Sequence, residues 1–272
     1  MKSIVFLALV ALAAAAPKGA QLQFRNLYKN PVGEIRTKPS PHIIGGQEAE
    51  PHSIPFQVFL EMYTDNGGWY CGGSLISANY VLTAGHCGQD VTRAVVTLGA
   101  HQLSEASDGQ LEIESTTVTV HPDFDYDLIV NDISVIQLPE AVTFTDTISP
   151  VVLPTDSSST YTGETARVSG WGLTDGFGNA LSDVLNYVDV RVISNNECAE
   201  DFGPVEETIV CTSGNDKTGS CSGDSGGPLV VDGVQIGIVS FGMTYCLPGY
   251  ASAFTRVTSY LDWIAENTDV TF

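Results

Sequence analysis

Apolar and polar positions fall into three regimes along the chain. After Met1 and Lys2, an apolar run over residues 4–12 leads into four alanines at 13–16 and then Pro17. A basic start, an apolar centre and a small-residue exit make a secretory signal, with cleavage expected after Ala16. The run is shorter than the roughly 20 residues a bilayer-spanning helix needs, so no membrane anchor is expected. Residues 17–42 hold no sustained apolar period; they carry Pro17, Pro31, Pro39 and Pro41 among basic residues and read as a mobile pro-segment. From Ile43 onward, short runs rich in β-branched residues (91–98, 112–120, 133–138, 166–170, 184–193 and 234–241) alternate with Gly, Asn, Asp or Pro. Many short strands at that spacing predict an all-β sandwich or barrel. One helix is predicted at the end, where Val257, Leu261 and Ile264 recur at helical spacing with Tyr260 alongside. The chain thus divides into a signal peptide (1–16), a pro-segment (17–42) and a folded domain (43–272).

Of the 272 residues, 43% are hydrophobic, enough for one sizeable core or two half-sized ones. The net charge of −21 is unevenly spread. Beyond residue 42 only Arg93, Arg167, Arg191, Lys217 and Arg256 stand against 31 acids, a balance of −26. That surface argues against nucleic acid as a partner, because phosphate binding needs clustered Lys and Arg. Six cysteines in an exported chain predict three disulfides made in an oxidising compartment. Arithmetic alone leaves about fifteen connectivities open.

The sharpest chemical signal is Gly223-Asp224-Ser225-Gly226-Gly227-Pro228, a serine among glycines where the backbone can turn tightly and aim its N–H groups outward. A serine hydroxyl is a poor nucleophile until a base takes its proton, so a histidine and a group to orient it are required. Among five histidines, His42 and His52 lie beside proline, and His101 and His121 carry no further signature. His86 sits in Thr83-Ala84-Gly85-His86-Cys87, where the cysteine offers an anchor. The acid candidate is Asp132 in Asn131-Asp132-Ile133, a carboxylate leading into a predicted strand.

These segments, with Ile43-Ile44-Gly45-Gly46 before them, occur together in the order of the chymotrypsin family, and the chain resembles that family over about 230 residues. The resemblance implies two packed six-stranded antiparallel β-barrels with a C-terminal helix and an active site in the cleft between them. It implies Ser225 as nucleophile, His86 as proton shuttle, Asp132 as orienting acid, and the N–H groups of Gly223 and Ser225 as oxyanion hole. It pairs Cys71 with Cys87, Cys198 with Cys211 and Cys221 with Cys246, and makes Ser240-Phe241-Gly242 the substrate strand. Activation in the family is a cut before Ile43 that frees an ammonium to pair with Asp224. His42 precedes that cut here, so a trypsin-like activator is not favoured; a chymotrypsin-like activator, autoactivation, or a cut at Lys38 followed by trimming remain open. With no cysteine in 17–42, the cleaved segment is expected to leave.

The position of the trypsin pocket acid is Gly219, followed by Ser220, and Ser252 stands where some related serine collagenases carry an Asp; the stretch 249–257 resembles arthropod chymotrypsins and those collagenases. An uncharged pocket kept open by Gly242 implies a preference for Phe, Tyr, Leu or Met, with elastase-like or collagenolytic specificity as the alternative. Ala100 occupies the usual first calcium-ligand position, so despite Glu105, Asp108 and Glu112 no metal and no cofactor is expected. The partners implied are protein and peptide substrates, an activating protease and protein inhibitors, met by a monomer in a secreted, digestive setting such as a gut lumen. A non-catalytic homologue acting as a binding module would have lost part of the triad or Gly223, and a cascade protease would carry further N-terminal modules.

Overall fold

The computed structural model describes residues 43–106, 108–173 and 180–272, together with the backbone of residues 22–24. The expected signal peptide and the rest of the pro-segment, including Lys38 and His42, lie outside the described residues.

The strands in chain order are β1 (Leu22–Phe24), β2 (Gln47–Glu48), β3 (Gln57–Thr64), β4 (Gly67–Leu75), β5 (Tyr80–Thr83), β6 (Arg93–Leu98), β7 (Leu111–Ser115), β8 (Thr117–Val120), β9 (Ser134–Gln137), β10 (Thr165–Gly170), β11 (Asn186–Ile193), β12 (Ile209–Thr212), β13 (Pro228–Val231), β14 (Val234–Met243) and β15 (Ser252–Arg256). The first half forms the ladder β7-β6-β3-β4-β5-β9-β8. Its outer members, β7 and β8, are one extended segment interrupted only at Thr116, so the ladder returns to the same piece of chain and closes. Ser115 Oγ holds the bend, donating to the Gln137 carbonyl at 2.6 Å and accepting from the Thr117 N–H at 3.1 Å. Inside lie Val58, Leu60, Met62, Leu82, Val96 and Ile136, all buried.

The second half closes as a ring, because β14 pairs with both β13 and β15 at the ends of the path β13-β10-β11-β12-β15. Period-two patterning explains β11: Val188, Val190 and Val192 point into the core while Asp189 and Arg191 face outward, Asp189 meeting Arg167 across the strands at 2.8 Å. The two halves are the two antiparallel barrels the resemblance implies.

Among the described residues three short α-helices punctuate the sheets: α1 (Gly85–Gly88), α2 (Asn195–Phe202) and α3 (Leu261–Asn267). The predicted C-terminal helix begins at Leu261, because Val257–Ser259 winds as a 3₁₀ turn; Val257, Tyr260, Leu261 and Ile264 all pack onto the first barrel's core. Helix α2 was not among the expected elements. Its apolar pattern is weak, but Ser194 and Glu197 form a reciprocal capping box that starts it. Among the described residues no helix is long and apolar enough to cross a membrane.

Candidate active site

His86 rides on the single turn α1, which the Cys71–Cys87 disulfide ties to β4. Gly85 lets that turn sit close to the chain ahead of β9, since a β-carbon there would come 3.0 Å from the Ile133 nitrogen. Asp132 occupies that chain. The His86 Nδ1 lies 2.8 Å from one Asp132 carboxylate oxygen and 3.0 Å from the other, and the His86 backbone N–H donates to the carboxylate at 2.8 Å.

The second barrel completes the acid's surroundings. Ser240 Oγ on β14 donates to Asp132 Oδ2 at 2.5 Å, and Thr255 Oγ1 on β15 donates to the Asp132 carbonyl at 2.7 Å. His86 and Asp132 are each only 1% exposed. Burial pushes the Asp132 carboxyl up, but the His86 charge, the hydrogen bonds from His86 and Ser240 and the His86 backbone together hold it below its ordinary value. The arrangement keeps an ionised acid beneath the Nδ1 face of the imidazole.

Ser225 lies in the loop just before β13, and its carbonyl accepts from the Gly72 N–H of β4 at 2.7 Å, joining the loop to the first barrel. Gly226 has φ +80°, and a β-carbon there would strike Thr83 Oγ1 and the Gly72 carbonyl, so only glycine lets the loop approach β4 and β5. Gly223 has φ +96°, a conformation that frees its amide from the direction an L-residue would give it.

Asp224 is fully buried, with its carboxylate accepting from the Gly172 and Cys221 N–H groups, each at 2.8 Å. Sequence reasoning did not single out Gly170 and Gly172, yet both press on this carboxylate; a β-carbon at Gly172 would lie 2.5 Å from it. Two glycines flanking Trp171 were the available signal. Ile43 is also fully buried, within the second barrel's core, and Ile44 exchanges 3.1 Å backbone hydrogen bonds with Gly219.

Gly219 and Ser252 face each other: a β-carbon on Gly219 would lie 2.8 Å from Ser252 Oγ. Ser220 Oγ is buried without a hydrogen-bond partner among the described residues, as is Thr212 Oγ1, whose residue is in register with Ser252. Gly242 is also in register with Ser252, and the Cys221–Cys246 disulfide braces the wall. Phe241 turns inward onto Phe202 with ring centroids 5.3 Å apart, in a cluster that contains the Cys198–Cys211 disulfide. Among the described residues no group of three or more His, Cys, Asp or Glu stands together as a metal site.

A scan against family models matches "Trypsin" over residues 43–264. The chain belongs to the trypsin family. It is 43% identical over 271 residues to a chymotrypsin of Phaedon cochleariae, covering 98% of each chain. It is also 43% identical over 233 residues to the brachyurin of Leptuca pugilator, covering 84% of this chain and all of that one. A solved structure of HL collagenase superposes with a TM-score of 0.78 at 36% identity, covering 85% of this chain and 100% of that one. This trypsin-family chain is therefore a serine peptidase, with proteins as its substrate class.

Proposed function

We propose that the chain is the zymogen of a secreted digestive endopeptidase, processed after Ala16 and again before Ile43, whose mature domain (43–272) prefers bulky apolar residues at P1. The observation that carries the catalytic reading is the buried His86–Asp132 pair, gripped from both barrels and set beside the Ser225 loop. In that reading His86 takes the Ser225 proton as Oγ attacks the scissile carbonyl, then delivers it to the leaving amine. Asp132 fixes the tautomer with the proton on Nδ1 and stabilises the imidazolium. The N–H groups of Gly223 and Ser225 hold the oxyanion, and loss of one such donor costs roughly 10²–10³ in kcat. Water then repeats the sequence on the acyl-enzyme. A cut before Ile43 supplies an ammonium for Asp224, and that pairing braces the oxyanion loop.

The P1 preference rests on a floor of Gly219, Ser220 and Ser252, which offers no carboxylate to a Lys or Arg side chain. Ser252 Oγ lies next to Gly219, and a hydroxyl there would shorten the proposed pocket, which favours an elastase-like preference for small residues as the second reading. Collagenolysis is suggested by the collagenase and brachyurin relatives. A digestive setting suits a mature domain with only five Lys and Arg residues, which gives neighbouring trypsins few places to cut.

The test is to express the full chain with a sequence-specific protease site before Ile43, activate it, and profile a peptide library beside a Ser225→Ala control. Cleavage after Phe, Tyr, Leu or Met that vanishes in the control supports the proposal. Cleavage after Ala or Val selects the elastase-like reading, and no Ser225-dependent cleavage refutes the catalytic assignment.

A further inference from the structure

Strand β1 lies far from the folded domain in sequence, yet it pairs antiparallel with the end of β14: Leu22 opposite Met243, Gln23 opposite Gly242 and Phe24 opposite Phe241. The edge it uses follows from the ladders. Phe241 and Gly242 are already paired on one side with Ala253 and Ser252 of β15, so β1 occupies the other side. That second side belongs to β13 only as far as Ile238, which pairs with Pro228. Beyond it the edge opens beside the Ser225 loop, which is pinned there by the Gly226 N–H to Val239 carbonyl bond of 2.8 Å.

Direction matters as much as position. As β1 rises from residue 22 to 24, its partners fall from 243 to 241, so the strand runs toward Ser240, whose hydroxyl touches Asp132. Against the sequence-based expectation that the cleaved segment leaves, we propose that the pro-segment is an inhibitor of the mature enzyme, held as an added strand on the substrate edge of β14 and retained without a covalent tether after activation. This rests on reading residues 17–42 as a pro-segment and β14 as the substrate strand.

Two features of the chain give the complex affinity and durability. Main-chain pairing along an open edge binds extended peptide whatever its side chains. The segment 17–42 carries five Lys and Arg residues against Glu34 alone, a net +4, and faces a domain of net −26. Opposite charge speeds association and holds the complex at low ionic strength, and salt screens it. Arg25 follows Phe24 in sequence, and a floor of Gly219, Ser220 and Ser252 gives an arginine no counter-charge, so the bound strand is a poor substrate at that residue.

The test uses the full chain carrying Ser225→Ala and the engineered site before Ile43, cleaved and freed of its pro-segment at high salt. A synthetic peptide of residues 17–42 is then titrated by calorimetry, beside Gln23→Pro and Phe24→Pro versions. Proline removes the N–H of whichever residue donates to the ladder. The wild-type peptide is expected to bind in competition with a short apolar peptide substrate, and at least one proline version to bind tenfold or more weakly, with salt weakening all of them. In the active enzyme the same peptide raises KM and leaves kcat unchanged. Absence of binding, or binding indifferent to both prolines, overturns the proposal. Because binding is read on the Ser225→Ala protein, a failure of catalysis in the active form would refute the catalytic reading and leave this result standing.

Discussion

Ser240 Oγ on the second barrel donates to Asp132 Oδ2 on the first at 2.5 Å, so the acid that orients His86 is held from across the cleft. Removing that hydroxyl in Ser240→Ala leaves a buried carboxylate short of one donor, a loss of about 1–3 kcal/mol when a buried group goes unsatisfied. We expect thermal unfolding to register that loss and kcat to fall by about tenfold. The drop should be well short of the roughly 10⁴ that loss of the orienting charge costs in such triads. An unchanged melting temperature and kcat would show that the other donors to Asp132 suffice.

Legibility in the sequence follows how each element is stabilised. Strand β11 is plain because Val188, Val190 and Val192 alternate with Asp189 and Arg191, one face buried and one wet. Strand β4 is not, because Gly67, Gly68, Gly72 and Gly73 read as a turn; in the structure Gly72 is needed where the chain passes the Ser225 loop, a β-carbon there lying 3.0 Å from Gly227 Cα. The His86 and Ser225 segments stand out because each carries glycine or cysteine where the backbone must be held or crowded, whereas Asp132 shows only as a carboxylate leading into a strand. Ser240 stands out only as part of a substrate strand, since its contact with Asp132 spans 108 residues and depends on how two barrels dock.

Gly170 and Gly172 should be intolerant of alanine. A β-carbon at Gly172 would sit 2.5 Å from the Asp224 carboxylate, displacing the group that accepts from the Gly172 and Cys221 N–H bonds. For Gly172→Ala we expect overall fold retained by circular dichroism, with kcat down by about 10² or more as the loop bearing the oxyanion donors shifts. Full activity in this variant would separate Asp224 from the oxyanion loop.

Ser252 Oγ faces Gly219, and in the proposed reading that pair sets the depth of the P1 pocket. Ser252→Gly removes the hydroxyl and should raise kcat/KM for Tyr and Phe relative to Ala at P1, by about tenfold for the few methylenes of extra room. Ser252→Asp places a carboxylate on the floor and should add cleavage after Arg and Lys. Specificity constants for a matched series of peptides differing only at P1 decide both; an unaltered Phe-to-Ala ratio in Ser252→Gly would place the constriction elsewhere.

The depressed Asp132 carboxyl ties stability to pH with a definite sign. A carboxyl held below its unfolded value contributes stability that is complete above the unfolded pKa, about 3.9, and is lost as pH falls through the folded value. In a Ser225→Ala background, which prevents self-digestion, urea unfolding of Asp132 and Asp132→Asn proteins should therefore differ most near neutrality. The Asp132 protein should lose stability more steeply below about pH 4. Parallel acid limbs would mean that other carboxylates carry the acid response.

Ile43 bears on activation through its backbone. It is β-branched, fully buried and held at φ +47°, a conformation that costs about 1–3 kcal/mol for such a residue. The strain exists only in the uncut chain, because φ at Ile43 is defined through the 42–43 peptide bond. Hydrolysis of the 42–43 bond removes the carbonyl and leaves the side chain in place, so the cut form should be the more stable one. In Ser225→Ala protein at low salt, the condition in which the proposed pro-segment complex would persist after the cut, the cleaved form is expected to melt higher. Each kcal/mol relieved corresponds to about 2–4 °C in a domain of this size. A lower melting temperature after the cut would mean that the intact linkage stabilises the domain by more than the strain costs.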